Sequence, residues 1–296
     1  MRALLIANPR AARTRPDAVQ AIVATVQAAG WEVEVTATTG PGDAARLAAW
    51  GVETARDVVA VFGGDGTTMQ AASALVGTEV ALGLIPGGTG NLLAGNLRIP
   101  ASPARAAQAL VRAKPRPFDL GRLESASGTH YFAVACGCGY DARVMTETLS
   151  ENKARWGIGA YMATTLRLMP ELRSVRHHIT VDGVEYEANA SMIMVANCGE
   201  IIPPLVRLRP GVVPDDGWLD LVVLRADTLG QSVRAVWQAV RNRELPPEQS
   251  FAGYVRGREI SVESFPPQPV QLDGEPGGLT PFAVGIVPGA VRIMVP

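Results

Sequence analysis

Up to Phe118 the chain alternates short apolar runs with amphipathic stretches. Residues 3–7 and 58–62 are nearly all apolar and 80–85 is broken only by Gly83, the pattern of strands covered on both faces. Between them, 17–29 places Val19, Ile22, Val23 and Val26 on one helical face and stops at Gly30, while 32–36 alternates as a strand. Helices are expected over 43–55 and 68–76. Two more follow, the second opening at Ser102-Pro103, a capping residue and a first-turn proline. Strand-helix alternation of this kind predicts a parallel sheet with helices on both faces.

The pattern changes near Phe118. Residues 118–124, 130–136, 175–181, 191–196, 219–224, 259–262 and 269–272 read as strands that follow strands, joined by turns such as Ser127-Gly128 and Asp182-Gly183, which predicts antiparallel pairing. Helical insertions are expected over 142–150, 156–168 and 229–242. No internal repeat or low-complexity tract interrupts this order.

Of the 296 residues, 47% are hydrophobic and 19% charged, enough to build a sizeable core. The 27 Lys and Arg against 28 Asp and Glu leave a net charge of −1, without the basic excess of a nucleic-acid binder. Cys136, Cys138 and Cys198 are too few for a disulfide framework, which points to a reducing compartment and a cytoplasmic protein, and they lack zinc spacing. The apolar part of the N-terminus is too short for a signal peptide. The uncharged run 80–97 is broken by Pro86 and several glycines, so no transmembrane helix is expected.

The chemistry sits where strands end. Gly63-Gly64-Asp65-Gly66-Thr67 and Pro86-Gly87-Gly88-Thr89-Gly90-Asn91 each follow a strand and precede a helix. Glycine lets backbone approach a ligand, and the amides of a helix start favour phosphate. Ligands of such sheets bind beyond the carboxyl ends of the strands, so two such loops would face one crevice. Neither is a Walker loop or a dinucleotide fingerprint. Asp65 would repel phosphate unless a cation lay between them, which points to Mg²⁺ and phosphoryl transfer.

Four motifs in order from Gly63 to Glu275 then resemble the diacylglycerol kinase-like lipid kinase family: the two loops, Gly137-Cys138-Gly139-Tyr140-Asp141-Ala142, and Leu272-Asp273-Gly274-Glu275. The first loop alone is shared with NAD kinases and, more distantly, phosphofructokinases. The resemblance implies an N-terminal α/β ATP-binding domain, residues 1–121, and a mainly antiparallel β-sandwich lipid-substrate domain, 122–296, with the active site in the cleft between them. It implies that Gly63, Gly64, Asp65, Gly66, Thr67, Gly88, Thr89 and Asn91 contact ATP, and that Asn8, Pro9, Arg10 and Thr39 complete the nucleotide site. Asp273 and Glu275 would supply the carboxylate that takes the proton of the acceptor hydroxyl; Glu275 is favoured and the reverse stays open. The stretch Val213-Pro214-Asp215-Asp216-Gly217-Trp218 resembles the family's metal loop. Its ligands would be Asp216 with the carbonyls of Val213 and Trp218, oxygen donors suited to Mg²⁺ or Ca²⁺; the alternative is an acidic turn.

Two departures stand out. The family's first loop continues with a small residue and glycine, whereas this chain has Arg10-Ala11-Ala12-Arg13-Thr14-Arg15, and Leu92 follows Asn91 where the family often has Asp. Lys153, Arg155, Arg167, Arg173 and Arg176 surround an apolar stretch with Trp156, Tyr161 and Leu166, and a second candidate contact is 201–206, so peripheral association with the inner face of an anionic membrane is one reading and ordinary packing the other. The rival functions are an NAD kinase and a nucleotide-binding regulator without turnover. The identity of the lipid is not legible, and a homodimer stays open.

Overall fold

Strand β1 (Arg2–Ala7) is apolar from its second residue onward and is buried there throughout. It opens the series α1 (Pro16–Ala28), β2 (Glu32–Ala37), α2 (Asp43–Glu53), β3 (Val58–Gly63), α3 (Asp65–Leu75), β4 (Ala81–Pro86), α4 (Leu92–Asn96) and α5 (Pro103–Leu110). These coordinates are a computed structural model, which describes residues 1–125, 128–140, 142–143, 173–203, 206–208, 211–225, 231 and 252–296. The chain divides into two units, Met1–Asp119 with Pro288–Pro296, and Leu120–Val287.

In the first unit β1 lies between β2 and β3, β4 follows β3, and all are parallel. Strands β3 and β4 are buried along their whole length, because α1 packs with α5 and α2 with α3 over the sheet. The outer strand β2 alternates Glu and Val and is half exposed, as an edge strand can be. Register sets the working edge: Ala7 lies opposite Phe62, and Gly63 opposite Pro86. The loops that leave β1, β3 and β4 therefore start side by side. Arg292 and Ile293, near the far end of the chain, add a further parallel neighbour to β4 through Ala81 and Leu82.

Strand β5 (Lys114–Ser125) leads into the second unit. There follow β6 (Gly128–Phe132), β7 (Ala135–Gly139), β8 (Val175–Val181), β9 (Val184–Ala190), β10 (Met192–Ala196), β11 (Glu200–Ile202), β12 (Val206–Arg207), β13 (Leu219–Leu224), β14 (Ala252–Gly257), β15 (Glu259–Phe265), β16 (Pro269–Leu272), β17 (Glu275–Leu279) and β18 (Phe282–Val295). One antiparallel sheet runs β14-β13-β10-β7-β16-β17. In the other, β15 pairs antiparallel with β8 and with the first half of β18, and β9 pairs with β8. Strand β15 alternates exposed and buried at every residue, and its Ile260 and Val262 join Cys136, Cys138, Ile193 and Leu221 in one apolar core. This is the expected β-sandwich. The cysteines are free and buried, as read, and burial pushes the Cys138 thiol up to about 12.

The single strand expected over 130–136 is instead two, β6 and β7, parted at Ala133-Val134, whose amides turn away to bind a distant carboxylate. The expected helices over 156–168 and, apart from Gln231, over 229–242 lie outside the described residues, as does 142–150 beyond Arg143. Among the described residues no helix is long and apolar enough to cross a membrane.

Candidate active site

At the carboxyl edge of the parallel sheet, three loops are laced through their backbones. The Asn8 amide donates to the Phe62 carbonyl at 2.9 Å, and the amides of Gly87 and Gly88 both donate to Gly63 O, at 2.8 and 3.1 Å. Asn8 Nδ2 donates to Thr67 Oγ1 at 2.7 Å, while Asn8 Oδ1 accepts the Arg10 amide at 3.0 Å. The two glycine loops touch so closely that side chains are excluded. A Cβ on Gly88 would stand 2.7 Å from Gly64 Cα, and one on Gly90 would stand 2.8 Å from Asp65 Oδ2.

Asp65 is the first residue of α3, which starts three residues earlier than its apolar pattern suggests. Its carboxylate reaches across to the second loop, where Oδ2 accepts the Asn91 amide at 2.7 Å and Oδ1 the Leu92 amide at 2.6 Å. Asn91 itself sits at φ +52°, and its side chain bonds both backbone groups of Gly88, with Oδ1 accepting at 3.0 Å and Nδ2 donating at 2.8 Å. That closes 88–91 into a tight ring and leaves Thr89 exposed at its tip. No side chain caps α3, and first-turn amides have no acceptor within their own helix. The start of α3 can therefore bind an anion.

Pro9, Arg10 and Thr39 are exposed, Thr39 just past β2 at the same edge. The Thr39 amide and hydroxyl both donate to Asp43 Oδ2, at 2.7 and 2.5 Å. Those bonds and the Arg46 guanidinium hold the Asp43 carboxyl well below the usual carboxylate range. Sequence reading missed Asp43; an acidic residue in the first turn of a helix was the available signal. Among the loop arginines, Arg13 donates to the Ala101 carbonyl at 2.8 Å, so part of the basic character replaces glycine as a brace.

In the second unit, Asp273 and Gly274 form a two-residue hairpin turn between β16 and β17, with φ of +47° and +84°. This is the type I′ geometry that Asp-Gly favours. The Asp273 carboxylate accepts three backbone amides: Oδ2 takes Ala133 at 2.7 Å, and Oδ1 takes Val134 at 2.8 Å and Ala135 at 2.9 Å. Asn197 Nδ2 and the Cys198 thiol donate to the Ala133 carbonyl from the other side. Burial, then the Asp273 and Glu200 charges, push the Cys198 thiol well above its ordinary value, so it stays a packed thiol. Glu275, the next residue after the turn, is exposed. The motif thus contains one carboxylate bound into backbone and one facing solvent.

The acidic loop is differently disposed. Asp216 Oδ1 accepts the Trp218 amide at 3.0 Å, and Oδ2 lies 2.5 Å from Arg256 Nη2. The same guanidinium reaches Asp220 Oδ2 at 3.3 Å and the Gly211 carbonyl at 3.1 Å. Arg258 lies over the Trp218 ring, 4.6 Å from its centroid. Among the described residues no cluster of three or more His, Cys, Asp or Glu is placed to hold a metal. Asp141 of the third motif is outside the described residues.

Comparison with known proteins fits this arrangement. The family profile of the diacylglycerol kinase catalytic domain matches residues 2–123, and that of the YegS C-terminal NAD kinase beta sandwich-like domain matches residues 134–295. A relative in Chromohalobacter salexigens named "Probable lipid kinase YegS-like" is 30% identical over 307 residues, covering 99% of this chain and 92% of that protein. A protein of Bacillus subtilis named diacylglycerol kinase is 27% identical over 285 residues, covering 95% of this chain and 91% of that one. A solved diacylglycerol kinase structure from Bacillus anthracis str. Sterne shares the fold, with a TM-score of 0.77 at 23% identity over 100% of this chain and 97% of that chain.

Proposed function

This chain belongs to the diacylglycerol kinase-like lipid kinase family, and we propose that it transfers the γ-phosphoryl group of ATP to a hydroxyl of a lipid such as diacylglycerol or a sphingoid base. The observation that carries the reading is the lacing of the two glycine loops: Asp65 binds the Asn91 and Leu92 amides while Gly88 lies against Gly64. That contact presents the uncapped start of α3 and the Thr89 tip along one edge of the sheet, a backbone surface for a polyphosphate.

In this reading residues 1–121 bind ATP and 122–296 serve the lipid. Gly63, Gly64, Gly66, Thr67, Gly88, Thr89 and Asn91 cradle the phosphates, and Asn8, Pro9, Arg10 and Thr39 border them. Asp65 places a hard carboxylate donor between the two glycine loops, the ligand type Mg²⁺ prefers, so the residue is chemically fit to hold Mg²⁺ or one of its waters. Mg²⁺, when bound, offsets the charge that builds on the phosphoryl oxygens. Positioning and charge stabilisation then supply most of the rate, because phosphoryl transfer asks little covalent chemistry of the protein.

An alcohol needs a base. Asp273 gives its oxygens to three amides, which suits it to hold the turn rather than take a proton. Glu275, exposed beside it, is our choice for the group that accepts the hydroxyl proton. A lipid substrate implies work at a membrane surface, and we place the protein in the cytoplasm with peripheral contact to the inner leaflet. The apolar stretch expected to make that contact, around Trp156, lies outside the described residues.

The test is transfer of labelled γ-phosphate from ATP to a broad lipid panel and to NAD. A phosphomonoester of a lipid alcohol is the expected product. Labelling of NAD alone would replace this reading with that of an NAD kinase, and Mg-ATP binding without transfer to either would leave a nucleotide-binding regulator.

A further inference from the structure

The stretch 213–220 resembles a divalent-metal loop in sequence, yet its Asp216 carboxylate already faces a cation. We propose that the Arg256 guanidinium is the resident cation of this loop, which therefore closes and keeps its shape without Mg²⁺ or Ca²⁺.

The placement of Arg256 is set by the sheet. It lies directly opposite Asp220 in the antiparallel ladder of β13 and β14, so register delivers the side chain to the loop. From there Nη2 reaches three acceptors at once: Asp216 Oδ2 at 2.5 Å, Asp220 Oδ2 at 3.3 Å and Gly211 O at 3.1 Å. Nε adds a longer contact to Asp220 Oδ2 at 3.4 Å. The Arg256 side chain is 41% exposed, whereas Asp216 is 23% and Asp220 6% exposed, so the carboxylates are the buried partners and the cation closes over them. Burial works against the guanidinium charge, and the Asp220 and Asp216 carboxylates outweigh it, holding Arg256 above its ordinary value.

That geometry does not fit a divalent ion on Asp216. One oxygen is turned to the Trp218 amide and the other to a fixed positive charge, and an ion there would share that oxygen with a like charge. Guanidinium stays protonated under all ordinary conditions and offers several donors in one plane, so it can neutralise two carboxylates and bind a carbonyl together. A hard divalent ion does the same work elsewhere through oxygen ligands it must first win from water. The arginine makes that exchange unnecessary, and the loop's contribution to stability is then independent of divalent-ion concentration.

The experiment is thermal unfolding of the nucleotide-free protein, in chelator and in excess Mg²⁺ or Ca²⁺, for wild type, Asp216→Asn and Arg256→Gln. Wild type should show no shift between the three conditions that Asp216→Asn lacks, and Arg256→Gln should melt lower than wild type in chelator. A shift that appears equally in wild type and Asp216→Asn marks an ion elsewhere and supports the proposal. A wild type that melts lower in chelator while Asp216→Asn does not respond would overturn it, as would an Arg256→Gln protein as stable as wild type. Should Arg256→Gln fail to fold, the comparison of wild type with Asp216→Asn decides alone. Calcium titration by calorimetry gives the second readout: no heat that Asp216→Asn abolishes is expected.

Discussion

The Asp65 carboxylate lies 2.7 Å from the backbone nitrogen of Asn91, so the acidic residue of one glycine loop fixes the backbone of the other. A residue that sequence assigned to metal binding therefore also sets the shape of the neighbouring loop. The two roles fail differently on substitution.

Asp65→Asn keeps the size of the side chain but turns one acceptor into a donor that faces an amide. Hydrogen bonds to a charged group are worth about 1.5–3 kcal/mol, so kcat/KM should fall by roughly ten- to a hundredfold from loop disorder alone, and further if Mg²⁺ is lost. Steady-state kinetics across Mg²⁺ concentrations checks this. Unchanged turnover at saturating Mg²⁺ removes Asp65 from the site.

Gly88→Ala would set a methyl 2.7 Å from Gly64 Cα, backbone that has no flexible end to move aside. The two loops must part, and the affinity for ATP should drop while the melting temperature of the protein changes little. Nucleotide titration by calorimetry beside a thermal scan would show whether binding and stability separate in this way.

Glu275→Gln and Asp273→Asn should separate even more clearly. Loss of a general base typically costs about 10²–10⁴-fold in the chemical step, so Glu275→Gln should cut kcat and spare both ATP binding and stability. Asp273→Asn faces three amides with a neutral group, and stability should fall by about 2–4 kcal/mol in denaturant unfolding. The assignment is reversed if Glu275→Gln unfolds early and Asp273→Asn folds normally but does not turn over.

His177 predicts a pH dependence. Its Nε2 lies 3.1 Å from the Ala190 carbonyl, which only accepts, so Nε2 carries the proton and Nδ1 accepts from the Ser264 hydroxyl at 2.9 Å. Burial lowers its pKa below the ordinary 6.5. The unfolded chain takes up a proton as pH falls through that value and the folded chain does not. Stability is therefore full above it and declines below it, by up to about 1.4 kcal/mol per pH unit for one proton. Unfolding free energies of His177→Gln should lack this slope; parallel curves for the two proteins would refute the prediction.

Most of the first unit was legible because β1, β3 and β4 are covered by apolar packing on both faces, while α1 stops before Gly30 and α5 opens on Pro103. The runs ending at Ala7, Phe62 and Ile85 announce three parallel strands, and the glycines after the last two announce the loops. What sequence hid is contact at a distance. Nothing local to Asp273 says that it binds amides at 133–135, and so 130–136 read as one strand. Nothing in Asp215-Asp216-Gly217 announces that Arg256 lies beside it, because cross-strand pairing of β13 and β14 sets that partner. The same limit applies to Pro288–Pro296, whose place in the first unit no neighbouring residue reveals.

Strand β4 meets Arg292 and Ile293 through Ala81 and Leu82, a pairing that the chain makes only after the whole second unit has been synthesised. During translation, then, the first unit emerges with β4 as a bare edge, and an apolar one that would stick to another nascent chain. The last strand acts as a seal that arrives late. Removing residues 288–296 should leave the glycine loops intact in sequence yet yield a protein that aggregates on synthesis, and supplying that segment as a separate peptide should restore part of the soluble yield.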